Sequence, residues 1–490
     1  MKRISKTTGI ALFSIVLLFS NGCISNQEIP RQTDNYKTII DFQYDSITIS
    51  PKENFIVVEQ DGRFGAYVKA NETWELKIPV QYAMIFCRPS EDRVLAAYLD
   101  DSHIDLYRSD GSRLLDQTVR SVLAKENGSG MMVSVDNVHV GYLSWTGEWI
   151  LEPQYTKSIL PMDDGSYLVN TESETSGDWI DEEGISLLPA DKNITGVLES
   201  SALPCIGVRV EDNGTYYGVI GTDGKYILSP VYSDVFLKKD STGELYLIPY
   251  EKLSNTAYIY RPNGEKVFKE GYPYITPVGE ALFGVKKNEK FGVVNEKGEF
   301  VIPPIHDFVI ANGQFIIVED TGELVAQRKQ ADAYWIYDMA GRQVSDIAYD
   351  KVSVLEAAPL LAAVTKDQKT GFLSADSSVS IPMLYEDYCF DYSEDKNTLL
   401  VKKGGKWGGV NLQNKVIVDF LYSEATYCGN NSIYAVRDGK CGIIALDGET
   451  ELPFVFEPPG SGEELVASEH MAVVWKNGKC GCVEIVKREL

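Results

Sequence analysis

Apolar residues in this chain come in short runs bounded by Gly, Asn, Asp or Pro, and nowhere does a long pattern of 3.6-residue period appear. Runs of this length and punctuation predict β-strands. Around residues 281–310 the pattern predicts strands over Ala281 to Lys287, Lys290 to Asn295 and Glu299 to Ile302, with a candidate fourth from His306-Asp307 to Ile310. Pro303-Pro304 should punctuate the unit, because proline has no N–H for a ladder and favours a strand end. Val119 to Glu126 and Lys329 to Asp332 are at most short helical turns.

The same pattern returns along the chain. KFGVVNEKGEFVIPP at Lys290 has counterparts in RFGAYVKANETWELKIPVQY at Arg63, HVGYLSWTGEWILEPQY at His139 and YYGVIGTDGKYILSPVY at Tyr216. Further copies start at Lys369, Lys406 and Lys440, and a fragment, KCGCVEIV, starts at Lys479. A two-strand connection favours residues that reach positive φ cheaply. Such positions fall at Asn71, Gly111, Gly147, Gly184, Gly224, Gly264, Gly298, Gly341, Ser377, Asn414 and Gly448. Their spacing of about 38 residues lies in the range of propellers, solenoids and arrays. With the fragment, the chain holds about twelve units. Four of them, around Gly111, Gly184, Gly264 and Gly341, lack the aromatic-glycine pair and keep mainly the turn.

The repeated motif resembles that of the WG-repeat family of bacterial β-repeat proteins, whose consensus runs roughly K-W-G-(V/Y)-I-N, two residues, G-x-(W/F)-V-I-P-P-x-Y-D. Only Lys406-Trp407-Gly408 is a literal match; Phe64, Tyr217 and Phe291 replace the tryptophan conservatively, whereas Val140, Thr370, Cys441 and Cys480 do not. An aromatic in that place can stack against the next unit, and the glycine beside it lets a ring or backbone approach closely. The rings after the turn, Trp149, Tyr226 and Phe300, recur at one repeat position and read as core; the competing reading is a row of platforms for sugars.

The fold class expected is therefore all-β, a β-propeller in two rings of about six blades, 38–270 and 271–490, with an open β-solenoid as the alternative. The chain stops inside its last unit, while Ile39 to Asp45 looks like the missing ending of one. An N-terminal strand that finishes a ring would remove both exposed edges.

Charge and the chain start bear on location. With 46 Lys and Arg against 71 Asp and Glu, the formal charge of −25 argues against nucleic acid and against anionic membrane surfaces as partners. Lys2, Arg3 and Lys6 precede an apolar run from Gly9 to Phe19, too short to span a bilayer but suited to a signal peptide. Ser20 to Cys23 resembles the lipobox of bacterial lipoproteins. On that resemblance, residues 1–22 form a signal peptide, Cys23 is the lipid attachment site, and 23–37 is a tether.

Catalytic and metal patterns are sparse. The seven other cysteines show no zinc-like pair, although a Cys428–Cys441 bridge is an open alternative to buried packing. His103, His139, His306 and His470 sit in different units, and the acidic clusters at Asp181 to Glu183 and Asp391 to Asp395 lack EF-hand spacing. The expectation is a noncatalytic, membrane-anchored, extracytoplasmic binding or scaffolding protein, monomeric, without cofactor or metal. Its partner would be an envelope or extracellular protein, or a glycan. The rival is a propeller enzyme acting on cell-wall or extracellular glycan, with paired carboxylates hidden among the many acidic residues.

Overall fold

The computed structural model describes residues 36–486 apart from 51, 72, 88–93, 125–128, 170–176, 313, 322–332, 356–360, 390–396, 429–431, 447 and 461–465. These residues form twelve small antiparallel sheets, and the one helical element among them is a 3-10 turn at Ala190–Lys192. The expected all-β repeat fold is what the strand pairing displays.

The seventh sheet sets the pattern. Its strands are Ile275–Gly279, Leu282–Lys287, Lys290–Asn295 and Phe300–His306, paired in that order. Two strand expectations shift. Phe308–Asn312 is not the last strand of this unit but the first of the eighth sheet, and the missing strand, Ile275–Gly279, lies before Ala281. Nor do the prolines end a strand. Phe291 pairs with His306 and Val293 with Ile302, so Pro303, Pro304 and Ile305 bulge out opposite Gly292 and need no ladder N–H.

That bulge explains the motif glycine. A Cβ at Gly292 would stand 2.6 Å from the Ile302 carbonyl oxygen and 2.7 Å from Pro304 N. The same clash with the same fourth-strand carbonyl, at 2.7 to 2.8 Å, recurs at Gly65, Gly141, Gly218, Gly408, Gly442 and Gly481. The turns behave as the spacing predicts, since all eleven turn positions have positive φ, from Asn71 at 55° to Gly147 at 93°.

In the tenth to twelfth sheets phenylalanine stands where the second proline would be. Phe420 stacks on Tyr385 (6.3 Å, 13°), Phe454 on Tyr422 (5.9 Å, 23°) and Phe42 on Phe456 (6.4 Å, 22°). Each ring thus lies over the end of the preceding sheet, which adds a few tenths to about 1.5 kcal/mol per pair beyond burial.

The chain ends meet. Tyr36–Tyr44 runs antiparallel to Lys479–Ile485, with Tyr36 opposite Ile485, Ile40 opposite Cys482 and Tyr44 opposite Cys480. This strand supplies the bulged fourth strand of the twelfth sheet, and a Cβ on Gly481 would meet the Ile40 carbonyl oxygen at 2.7 Å. The strand begins at Tyr36, so the last two residues of the expected tether, Tyr36 and Lys37, belong to it.

Packing is sequential. Each sheet shares an apolar cluster with the next, and a final one joins Ile40, Val473, Trp475 and Cys482 of the twelfth to Ile47, Ile56 and Val58 of the first. The expected division at 270/271 falls inside the sixth sheet, because Tyr272 bridges Ala257. One cluster also carries Tyr246, Ile248 and Ile259 together with Ile275, Phe283 and Val285 of the seventh sheet. The described residues therefore make one circuit of twelve sheets in place of two circuits of six. A circuit closed by a strand pair leaves no open stack, so the solenoid alternative goes too.

Candidate binding surface

The recurring polar residues of the motif hold the ring together. Each fourth strand ends one residue or a few before the next sheet begins, and an acidic residue occupies that handover in several units. Asp307 accepts from Lys290 Nζ, at the start of the third strand of its own sheet, and from Thr321 N in the eighth sheet at 2.9 Å. Asp45 accepts from Lys479 Nζ and from Asp61 N (2.8 Å) across the seam between the twelfth and first sheets. Glu386 takes Lys369 Nζ (3.3 Å) and the N–H groups of Gly404 (3.0 Å) and Gly405 (2.8 Å) in the tenth. Asp350 takes Lys366 Nζ (2.9 Å) and Asp367 N (2.8 Å) in the ninth. The neighbouring ammonium holds the carboxyls of Asp45, Asp307 and Asp350 below their ordinary range, and backbone donation from Gly405 does so first for Glu386.

All four histidines stand against carboxylates. His103 Nδ1 lies 2.8 Å from Asp100, His139 Nδ1 2.9 Å from Asp136, His306 Nδ1 3.0 Å from Asp320, and His470 Nδ1 3.1 Å from Glu53 across the seam. Arg120 donates to His103 Nε2 at 2.9 Å, so the other ring nitrogen carries the proton toward Asp100. His306, in the place of the repeated tyrosine, is buried, and its Nε2 has no partner among the described residues. No two of these histidines share a site.

The acidic run at Asp181 is likewise local. Asp181 Oδ1 accepts from Glu183 N (3.1 Å) and Ile185 N (2.7 Å) and so shapes its own turn. The run from Asp391 to Asp395, like Cys23, lies outside the described residues.

Cys441 and Cys480 are fully buried in the aromatic place of their units, as packing residues. A Cys428–Cys441 bridge does not form. Cys428 stands opposite Ser432 and Cys441 opposite Val436, four residues or about 13 Å apart along the strand between them.

Trp149, Tyr226 and Phe300 are half-buried and pack into the cluster shared with the preceding sheet, as core positions at its margin.

What the framework leaves outward is a row at the bulge. The residue before the repeated Tyr, His or Phe points to solvent in every regular unit. It is Gln43, Gln81 and Gln154 in the twelfth, first and third sheets. In the fifth, seventh, ninth, tenth and eleventh it is Val231 (60% exposed), Ile305 (61%), Leu384 (41%), Leu421 (48%) and Val455 (40%). The sequence displayed this position in every copy, but only the bulge shows that it faces out. Separately, a recess of about 260 Å³ opens between the third and fourth sheets, lined by Leu123, Met132, Tyr142, Ser158, Ile159, Leu160 and Pro161.

Comparison with known proteins agrees with the repeat frame. The WG containing repeat matches residues 35–64 and 291–319, which cover the closing strand with the first hairpin and the stretch from Phe291 into the eighth sheet. No curated protein matches the chain in sequence. Among solved structures, a eukaryotic initiation factor is similar at 14% identity (TM-score 0.37; 66% of this chain, 91% of that one). The tricorn protease is similar at 11% (0.23; 89% and 54%), and BamB from Moraxella catarrhalis at 12% (0.26; 58% and 94%). These likenesses are partial, and the fold rests on the strand pairing itself. The chain thus carries the WG containing repeat at two places, and the same glycine-bulge geometry recurs in the regular units between and beyond them.

Proposed function

We propose that this protein is a noncatalytic binding or scaffolding ring that works through its repeat surfaces. The observation that carries the reading is the division of labour within each unit. Lysine, ring, glycine and terminal acid are consumed by closure and by sheet-to-sheet staples, while the bulge residue is held at a fixed place and left free to vary. A surface of that kind spreads affinity over several units. The partner is an envelope or extracellular protein, or a glycan. The basic, apolar and Cys23-terminated start of the chain supports export and lipid anchoring on the extracytoplasmic side of a bacterial membrane.

Two measurements test this. Cys23→Ala should move the protein out of the membrane fraction or leave its precursor uncleaved; unchanged partitioning would remove the anchor. Replacing Leu384, Leu421 and Val455 together by Ser should weaken partner capture while leaving thermal unfolding in place, because exposed apolar residues contribute little to the fold. Release of sugar or peptide products, abolished by a single Asp or Glu substitution, would establish an enzyme instead.

A further inference from the structure

The acidity of the chain is unevenly placed. Residues 225–300, which close the fifth sheet and build the sixth and most of the seventh, hold eleven Lys and Arg against ten Asp and Glu, where the whole chain holds 46 against 71. Within this sector Lys238, Lys239, Lys252, Lys266, Lys269 and Lys297 have no carboxylate partner among the described residues. Tyrosines stand among them. Lys266 Nζ lies 3.7 Å from the centre of the Tyr258 ring and 5.3 Å from that of Tyr260, and Lys252 Nζ lies 4.3 Å from that of Tyr216.

At the junction of the sixth and seventh sheets this composition becomes a site. A notch of about 350 Å³ is lined by Val267, Phe268, Lys269, Glu270, Glu296, Lys297 and Gly298. Both carboxylates in it are already matched. Glu270 accepts from Lys287 Nζ (3.0 Å) and the Tyr272 hydroxyl (3.0 Å), and Glu296 is paired with Arg261. Lys269 and Lys297 remain as two exposed lysines, one from each sheet. We infer that this notch, in a sector that also carries Tyr258 and Tyr260 beside Lys266, binds an anionic glycan, a sugar polymer carrying carboxylate groups, with Lys269 and Lys297 as the charge contacts.

Three observations favour that class. An anionic partner meets repulsion from the strongly acidic parts of this surface and less of it in this sector, so charge favours docking here over those parts. Half-buried tyrosines beside free ammonium groups offer ring faces and hydroxyls to a sugar together with a counter-charge to its carboxylate. An extended acidic peptide that docks by strand addition would need a regular ladder edge, and the closing segment of the sixth sheet is joined by bridges at Tyr260–Lys266 and Ala257–Tyr272 and by Val267 N–H to the Ile259 carbonyl, without forming a strand among the described residues. The inference rests on the binding reading above and names the partner class and the place.

The test measures binding of the full chain to polygalacturonate, neutral dextran and poly-glutamate at low and at physiological salt. Polygalacturonate should be retained, dextran not, and retention should fall as salt rises. K269Q/K297Q should weaken binding about tenfold, K269E/K297E should abolish it, and K403Q/K415Q on the tenth sheet should leave it unchanged. Retention of dextran equal to that of polygalacturonate, preference for poly-glutamate, indifference to K269E/K297E, or no retention of any of the three would each overturn the inference. Partner capture that survives K269E/K297E but falls with the Leu384, Leu421 and Val455 substitutions would sink the notch and leave the scaffold. Loss of polygalacturonate with K269E/K297E in a chain that also cleaves it would sink the scaffold and leave the notch.

Discussion

The second and seventh sheets build the same unit with different chemistry. In the seventh, Gly292 admits the bulged strand Phe300–His306 against its backbone, and the ladder is regular on both sides of the bulge. In the second, Asp105 stands in the glycine's place and the fourth strand shrinks to two bridges, Tyr107–Arg113 and Ile104–Val119. Asp105 is 2% exposed; it accepts from the Tyr82 hydroxyl (2.8 Å) and is ion-paired with Arg113 of the closing segment. The fourth sheet does likewise, with Asp178 accepting from the Ser186 hydroxyl at 2.7 Å. The sixth and eighth carry Tyr258 and Trp335 there. One kind of unit closes by backbone proximity, which only a missing Cβ allows. The other closes by a side chain that reaches across the gap its own Cβ enforces.

The largest test of this comparison removes a fourth strand altogether. Deleting Thr38 through Ser46 strips the twelfth sheet of its closing strand and opens an apolar seam at Cys480, Cys482 and Trp475, which should cost several kcal/mol. Unchanged thermal stability and solubility would show that the seam contributes nothing.

Next comes Asp105→Ala. The Tyr82 hydroxyl and Arg113, itself 42% exposed, would lose a buried partner, and removing hydrogen bonds to such a charged group costs about 2–3 kcal/mol. Denaturant unfolding that matches the parent chain would mean that the second sheet closes without its carboxylate. Gly292→Ala should be milder, about 1–3 kcal/mol, because the extra methyl pushes on backbone atoms that cannot rotate away. The reciprocal change sharpens the contrast: Asp105→Gly removes the side-chain contact without restoring the bulge and should not recover stability.

The smallest effect concerns the acid staples. Asp45, Asp307 and Asp350 have carboxyl groups held below their ordinary values. A depressed folded-state value means that the stabilisation is fully present above the ordinary Asp range, about 3.9, and is lost as pH falls through the depressed one. Stability should thus be flat from neutral pH to about 5 and decline below about 4. Asp307→Asn should flatten part of that decline while costing at most about 1 kcal/mol at pH 7, since Lys290 is half-exposed. A decline unaltered by removing all three carboxylates would place the acid sensitivity elsewhere.

Much of this architecture was legible in the residues. The turn positions announced themselves because positive φ restricts the residue type, and the same four units that lacked the aromatic-glycine pair are the four whose ladders are irregular. The N-terminal closing strand was legible because Ile39 to Asp45 repeats the ending of a unit. The strand Ile275–Gly279 was missed because Pro277 and Gly279 interrupt its apolar run, and Phe300–His306 was cut short because prolines are tolerated inside a bulge. Nothing in the sequence marks Asp105 or Asp178 as substitutes for glycine, since their role depends on a partner in the closing segment. The binding surface was less legible still: a solvent-facing position looks like any other until the bulge turns it outward, and the notch at Lys269 and Lys297 exists only where two sheets meet. The two-ring expectation came from the scarcity of large rings and not from any residue, whereas the apolar clusters run on from the sixth sheet into the seventh and from the twelfth into the first.

The seam also sets an order of events. Cys480 Sγ and the Tyr44 carbonyl it contacts are 436 residues apart along the chain. Joining ends so distant in an unfolded chain costs about 4 kcal/mol more than closing a four-residue hairpin, on loop-closure entropy alone. Each other sheet is a local meander that can form as soon as its own segment exists. Tyr36–Tyr44, which precedes all the other described strands in the chain, is therefore among the last to find its place, waiting for Lys479–Ile485 while eleven meanders assemble beside one another. During that wait a nine-residue strand and its vacant partner edge are both available, and two unfinished rings at high concentration could each complete the other.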